Sequence, residues 1–198
     1  MLVTAAVVFL PLATAARAAE PPITGSVQNF IAFSEPIAAP LIPLDTKSGG
    51  EQTFEDYRGK VVVVNFWATW CGPCVREMPT LARMQEIFAD VDDFAFVIVS
   101  QDRGGWKDID RFMRRLKLVF PNSLLDDKLT LSRAMHVRSL PVVAIIDRQG
   151  NEVGRLVGGA EWDSPEAIEL IQFYLDTDAG GVDSGSSLRP IYCEAMKR

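Results

Sequence analysis

Four valines open a stretch that ends in a pair of cysteines and the residues after them: Val61 to Pro79 reads VVVVNFWATWCGPCVREMP. The β-branched run, continued by Asn65, Phe66 and Trp67, has the length and composition of a buried strand. That strand breaks at Thr69–Trp70 and a helix follows, with Cys71 where it begins and Cys74 one turn further in. Residues three apart on a helix share a face, so the two cysteines can close a disulfide without moving the backbone. A helix start carries unpaired N–H groups and the positive end of the macrodipole, and both lower the Cys71 thiol towards the thiolate. Cys74 lacks that help and is expected to be the more buried, resolving thiol. Gly72 lets another chain's backbone approach, and Pro73 suits a first helical turn, where its missing N–H costs nothing. Together these residues support a dithiol–disulfide switch. A zinc site is the other use of such a pair, but no second ligand pair accompanies it; the remaining candidates are His136 and Cys193.

With 198 residues, 48% of them apolar, the chain can form one well-cored domain with extensions. Its formal net charge of −6 argues against a nucleic-acid partner. The N-terminus, MLVTAAVVFLPLATAARAAE, is apolar from Leu2 to Ala16, and Ala16-Arg17-Ala18 fits an A-x-A cleavage site. No Lys or Arg precedes the apolar run, and Pro11 interrupts a stretch short of the about 20 residues that a membrane span needs. Residues 1–19 are therefore read as a cleaved signal, with an uncleaved anchor as the alternative. Either places the chain outside the cytoplasm, where disulfides persist.

Residues 20–40 read as a linker, 41–178 as the folded domain and 179–198 as a flexible tail. Cys193, in that tail, could form an intermolecular disulfide, cap the active pair transiently or stay a free thiol. Leu41–Leu44 is expected as a short edge strand, followed by a turn and by a second short strand and helical turn over Gln52–Tyr57. Cys71–Ala89 is expected as a helix bent at Pro79, and Phe94–Val99 as a buried strand. Trp106–Leu116 gives a helix with Ile109, Phe112, Met113 and Leu116 on one face and a solvated basic face opposite. Asp127–Met135 is a shorter helix, Val142–Ile146 and Val153–Val157 form a hairpin, and Ser164–Leu175 opens with a Ser-Pro-Glu helix start. The order β-α-β-α-β-β-α, after an N-terminal β extension, implies an α/β fold with a mixed central sheet flanked by helices.

WCGPC after a Val-rich strand resembles the active-site motif of thioredoxins. NFWATWCGPCVREMP, with GGAEWDSPEA further on, resembles the TlpA/ResA group of periplasmic thioredoxin-like proteins over roughly Leu41 to Leu175. The resemblance implies a thioredoxin fold and a periplasmic thiol–disulfide oxidoreductase with no cofactor beyond its Cys71–Cys74 disulfide and no metal. It also places Pro141 where this fold carries a cis-proline facing the disulfide, leaving the Leu140 backbone free to pair with a substrate strand. The residues alone leave a trans proline capping a strand open. Thioredoxins have Gly-x-Pro-Thr there; Ser139 and Val142 make this groove bulkier and more apolar, so substrate choice does not carry over.

Asn65 stands where thioredoxins have a buried Asp, and an amide cannot titrate. The TlpA/ResA group instead has a Glu three residues after the second Cys. Glu77 matches it, on the Cys74 side of the helix, and is expected to tune the thiols and assist proton transfer. Trp67 is expected to pack and Trp70 to offer an apolar docking surface next to Cys71. His136, the only histidine, is read as structural.

CGPC has no His or Lys between its cysteines to stabilise the thiolate further, which favours a reductase over a strong oxidant. No flavin or nicotinamide fingerprint occurs, so the electrons come from another protein. The resemblance implies a membrane thiol transporter as donor and, in cytochrome biogenesis, a copper chaperone, the copper subunit of cytochrome oxidase or apocytochrome thiols as acceptors. A non-catalytic binding module and a copper-delivery protein are the rival readings. Intact Cys71, Cys74 and Pro141 argue against the first. Against the second, copper chaperones of the Sco type space their cysteines Cys-x-x-x-Cys.

Overall fold

The valine run forms the middle of the sheet. In a computed structural model that describes residues 20–178 and the backbone of 182–183, β4 (Val61–Trp67) is buried along its whole length. It is flanked by β5 (Phe94–Ser100), parallel, and β7 (Val142–Ile146), antiparallel. A strand so placed hides both faces, which is why consecutive valines fit where an exposed strand would alternate. Side chains still take turns across the sheet. Val61, Val63 and Trp67 enter one core with α1 (Gly72–Ile87), α2 (Trp106–Leu116) and α4 (Pro165–Asp176). Val62, Val64 and Phe66 enter the other, with α3 (Thr130–Ala134) and the 3-10 turn Phe54–Tyr57. Asn65 has the parity of Val63 and Trp67, so it points to the α1 side.

The sheet has eight strands in the order β1-β8-β7-β4-β5-β6-β2-β3. The outer strands are β1 (Phe30–Ala38), β2 (Leu44–Thr46), β3 (Glu51–Gln52), β6 (Ser123–Leu125) and β8 (Asn151–Val157). Only β4–β5 and β5–β6 are parallel. Right-handed crossovers through α1 and α2 put both helices on one face, as their shared core requires. The expected mixed sheet covered by helices is present. A second ladder pairs β9 (Thr177–Asp178) with β10 (Val182–Asp183), at the start of the expected tail. The apolar residues 1–19, Cys193 and the rest of the tail lie outside the described residues. Among the described residues no helix is long and apolar enough to cross a membrane.

Several boundaries differ from expectation. Residues 20–40 are not a linker: β1 pairs antiparallel with β8 from Phe30↔Leu156 to Ala38↔Asn151, with an irregularity between Ala32 and Ile37. Without β1, the outer edge of the β7–β8 hairpin would leave a row of backbone groups unpaired. Pro36 falls in the irregular stretch, where its missing N–H is tolerated. Val27 and Phe30 are buried, the latter 6.1 Å from the Tyr174 ring, so the folded region begins before Leu41. The strand expected at Leu41–Leu44 is instead Leu44–Thr46, because Pro40 and Pro43 deprive the earlier stretch of ladder donors. It is also not the edge, since β3 lies outside it. β6 is too short to show a period. The helix expected over 127–135 contracts to Thr130–Ala134. There the Asp126 carboxylate accepts the N–H groups of Thr130, Leu131 and Ser132 and so sets the start. α4 starts as expected, with Ser164 accepting the Ala167 N–H.

Candidate active site

β4 and β5 end, and β7 begins, at one edge of the sheet, and the cysteines lie there. Cys71 is the N-cap of α1 and not its first residue; its Sγ accepts the Cys74 N–H at 3.2 Å. The two are joined in a disulfide, with S–S 2.05 Å and Cα–Cα 5.3 Å. Cys71 is 6% exposed and Cys74 not at all, the asymmetry expected of an attacking and a resolving thiol. Trp70 stands 69% exposed beside them, while Trp67 is buried against Phe112, with ring centroids 5.4 Å apart. Gly72 and Pro73 are exposed on the first turn.

The turn into Cys71 is held from β5. The Thr69 N–H donates to Asp102 Oδ2 at 2.9 Å and its hydroxyl to Oδ1 at 2.6 Å, while the Ser100 hydroxyl donates to Oδ2 at 2.7 Å. Asp102 is itself buried, so the carboxylate is a fixed anchor for the Thr69–Trp70 turn. The Leu140–Pro141 peptide is cis, as the resemblance implied. Pro141 O accepts the Gly158 N–H at 2.9 Å, and among the described residues no backbone hydrogen bond uses Leu140. Since Phe66 pairs with Val142, Pro141 falls next to the end of β4, at the same edge as the disulfide.

Glu77 lies within the buried stripe of α1, with Cys74, Met78, Leu81 and Met84, and is 4% exposed. From β4, Asn65 Nδ2 donates to its Oε1 at 2.9 Å. The loop after β8 covers its other side: a Cβ on Gly159 would stand 3.7 Å from Oε2, and the Ala160 N–H and Trp162 indole turn to the carboxyl. Burial pushes the Glu77 carboxyl up from 4.5 to about 7, and these three donors hold it back from going higher. Even so, neither Glu77 Oε2 nor Trp162 Nε1 has a partner of good hydrogen-bond geometry, although the indole is turned to the carboxyl. An acid that changes protonation near neutrality, one helical turn from a buried thiol, can take up and return that thiol's proton.

His136 sits exposed in a left-handed turn after α3. Among the described residues no group of three His, Cys, Asp or Glu side chains is placed to hold a metal. Sequence reasoning missed Asp102, Trp162 and Arg76. The Arg76 guanidinium curls back over Gly72, ending 3.7 Å from where a Cβ on that glycine would be. Arg76, four residues after Gly72 and so on its face of the helix, was the one with a local signal.

A Cys-x-x-Cys disulfide capping the helix after the central strand, with a cis-proline at the same sheet edge, defines the thioredoxin-like thiol–disulfide oxidoreductases. The profile of the Redoxin family matches residues 25–171, and the chain belongs to that family. It is 34% identical to the thioredoxin-like protein YneN of Bacillus subtilis over 120 residues, 61% of this chain and 69% of that protein. With the thiol-disulfide oxidoreductase ResA of the same organism, identity is 31% over 154 residues, 77% of this chain and 80% of the relative. The crystal structure of a protein described as thiol:disulfide interchange protein DsbE, from Chlorobium tepidum, superposes with a TM-score of 0.64 at 29% identity. That match covers 71% of this chain and 96% of the other. The ResA side of the expected resemblance is thus present in sequence and in fold, and the Cys71–Cys74 pair is that of a thiol–disulfide oxidoreductase.

Proposed function

We propose that this chain is an exported, periplasmic reductase of protein disulfides, with Cys71 as attacking thiol, Cys74 as resolving thiol and Glu77 as proton acceptor. The observation that carries the reading is the layering of the site: Cys71, with a small part of its surface open at the helix start, Cys74 sealed beneath it, and a buried carboxyl one turn further on. In the reduced enzyme the Cys71 thiolate attacks one sulfur of a substrate disulfide. A Cys71–substrate bond forms as the substrate S–S bond breaks, and the first substrate sulfur leaves with the electron pair and takes a proton. Cys74 then gives its proton to Glu77, and its thiolate attacks Cys71 Sγ. The Cys71–Cys74 bond forms, and the second substrate sulfur leaves with its electron pair and is protonated. Two electrons have passed to the substrate and the enzyme is oxidised.

Trp70, Gly72 and Pro73 would receive the substrate from the helix side, and Leu140 and Pro141 from the strand side, where the unpaired Leu140 backbone can add a substrate strand. Location outside the cytoplasm rests on the apolar residues 1–19. The redox disulfide needs no further cofactor in this scheme. A membrane thiol donor, and acceptors in cytochrome biogenesis (a copper chaperone, the cytochrome oxidase copper subunit or apocytochrome c), are the partners that the TlpA/ResA resemblance supplies.

The test separates the two thiols. The reduced chain carrying Cys193→Ser, mixed with the chromogenic disulfide dithiobis-nitrobenzoate, releases one thiol when Cys71 attacks and a second when Cys74 resolves. Cys74→Ser should leave only the first release and Cys71→Ser neither. Glu77→Gln should slow the second phase by about tenfold or more near neutral pH and leave the first largely intact. A second phase of unchanged rate and pH dependence would remove Glu77 from the mechanism.

A further inference from the structure

The loop between β8 and α4 is fastened to the helix that carries Glu77. Its Trp162 backbone N–H donates to Thr80 Oγ1 at 3.1 Å, and that same hydroxyl donates to the Glu77 carbonyl at 2.8 Å. One residue later, Asp163 pairs with Arg83 Nε at 2.5 Å. On its outer side, the Ser26 hydroxyl donates to the Glu161 carbonyl at 3.2 Å. At its start, the Gly158 N–H donates to Pro141 O. The loop is thus tied to α1, to the N-terminal turn and to the cis-proline, and these ties fix the fully buried Trp162 ring.

Fixed in this way, the ring presents an N–H with no partner of good geometry beside a carboxylate oxygen with none either. Leaving a buried donor and a buried acceptor both open is costly, and such pairs in a folded interior ask for a reason. Charge supplies it. A neutral carboxyl attracts a donor weakly, whereas an ionised one draws it into a short, charge-assisted bond. We infer that Trp162 is a positioning residue for Glu77, its indole N–H held ready to close on the carboxylate while Glu77 is ionised, before it takes the Cys74 proton and again after it gives that proton up. This rests on the role proposed above for Glu77.

The groups around that carboxyl are Asn65 from β4 and Gly159, Ala160 and Trp162 from the loop, with none of the four ionisable and no charged neighbour contributing to the upward shift; Cys74, one turn back on the same helix and here in the disulfide, is a titratable group of the reduced enzyme. Removing the indole N–H should therefore act on the Cys74–Glu77 proton exchange through Glu77, the group it faces. In Trp162→Phe, made with Cys193→Ser, the pH midpoint of the second release of nitrobenzoate thiol should move up by about one unit, while the first release keeps its profile. Combined with Glu77→Gln, Trp162→Phe should have no further effect on that midpoint. A second experiment needs no substitution at the site: the indole ¹⁵N–¹H resonance of Trp162 in the Cys193→Ser chain should titrate with the same midpoint as the ¹³C-labelled Glu77 carboxyl. A midpoint unmoved in Trp162→Phe, or an indole resonance that stays still while Glu77 titrates, would overturn the inference and leave the Glu77 mechanism standing. If Glu77→Gln itself changes nothing, the mechanism fails first and Trp162 falls with it.

Discussion

Between pH 4.5 and about 7, the folded chain keeps on Glu77 a proton that the unfolded chain has already released. A folded state that binds the extra proton loses stability as pH rises through that window, and the loss levels off above it. Glu77→Gln removes the ionisation while a Gln carbonyl can still accept from Asn65. Relative to the parent, the variant should gain up to about 3 kcal/mol between pH 4 and pH 8. Denaturant midpoints of the oxidised proteins at the two pH values measure this. A parent–variant difference that is the same at both would mean that folding leaves the Glu77 carboxyl at its ordinary pKa. The position of Glu77 was legible in advance, because Cys74, Met78, Leu81 and Met84 mark the buried stripe of the helix and Glu77 lies inside it. The cover over it was not. Nothing local in GGAEWDSPEA points back to a residue so far upstream, since contacts of that range leave no period in the chain. Asp102 was hidden for the same reason: its partner Thr69 belongs to another strand's end.

At the level of elements, legibility followed burial. β4, β5 and β7 are apolar runs sealed on both faces, and α2 and α4 carry a stripe or a cap that can be read directly. β1 is exposed along most of its length and irregular in the middle, so it lacks the alternation that marks a half-buried strand. Its attachment depends instead on Gly154 in β8. A Cβ at that position would come within 2.6 Å of the Phe30 ring and 2.7 Å of the Ile31 carbonyl oxygen. The ring could turn, but the backbone oxygen belongs to the ladder and cannot retreat without lifting β1. Gly154→Ala should therefore lower stability by about 1–3 kcal/mol, read from the urea midpoint. An unchanged midpoint would mean that β1 contributes nothing and that residues 20–40 behave as the linker their composition suggested.

For the molecule as a whole, the reduction potential of the Cys71–Cys74 couple sets the direction of electron flow. The pair is stabilised at a helix start with no His or Lys between its cysteines, and the reading as a reductase calls for a couple near that of thioredoxin, about −270 mV. Equilibration of the Cys193→Ser chain against glutathione measures it. A couple near about −120 mV would make the protein an oxidant of folding chains.

The site draws its parts from distant places in the chain: Asn65, the cysteines and Glu77 come early, Pro141 and Trp162 late. Synthesis proceeds from the N-terminus at about 5–20 residues per second, so Cys74 precedes Trp162 by roughly 4–18 s. For that interval the thiols exist in a chain that has no lid over Glu77 and no proline strand to form the substrate groove. The ordering of this chemistry is therefore set partly by time: until the β7–β8 hairpin and the loop behind it have emerged and docked, the newborn protein carries two reactive sulfurs and no enzyme.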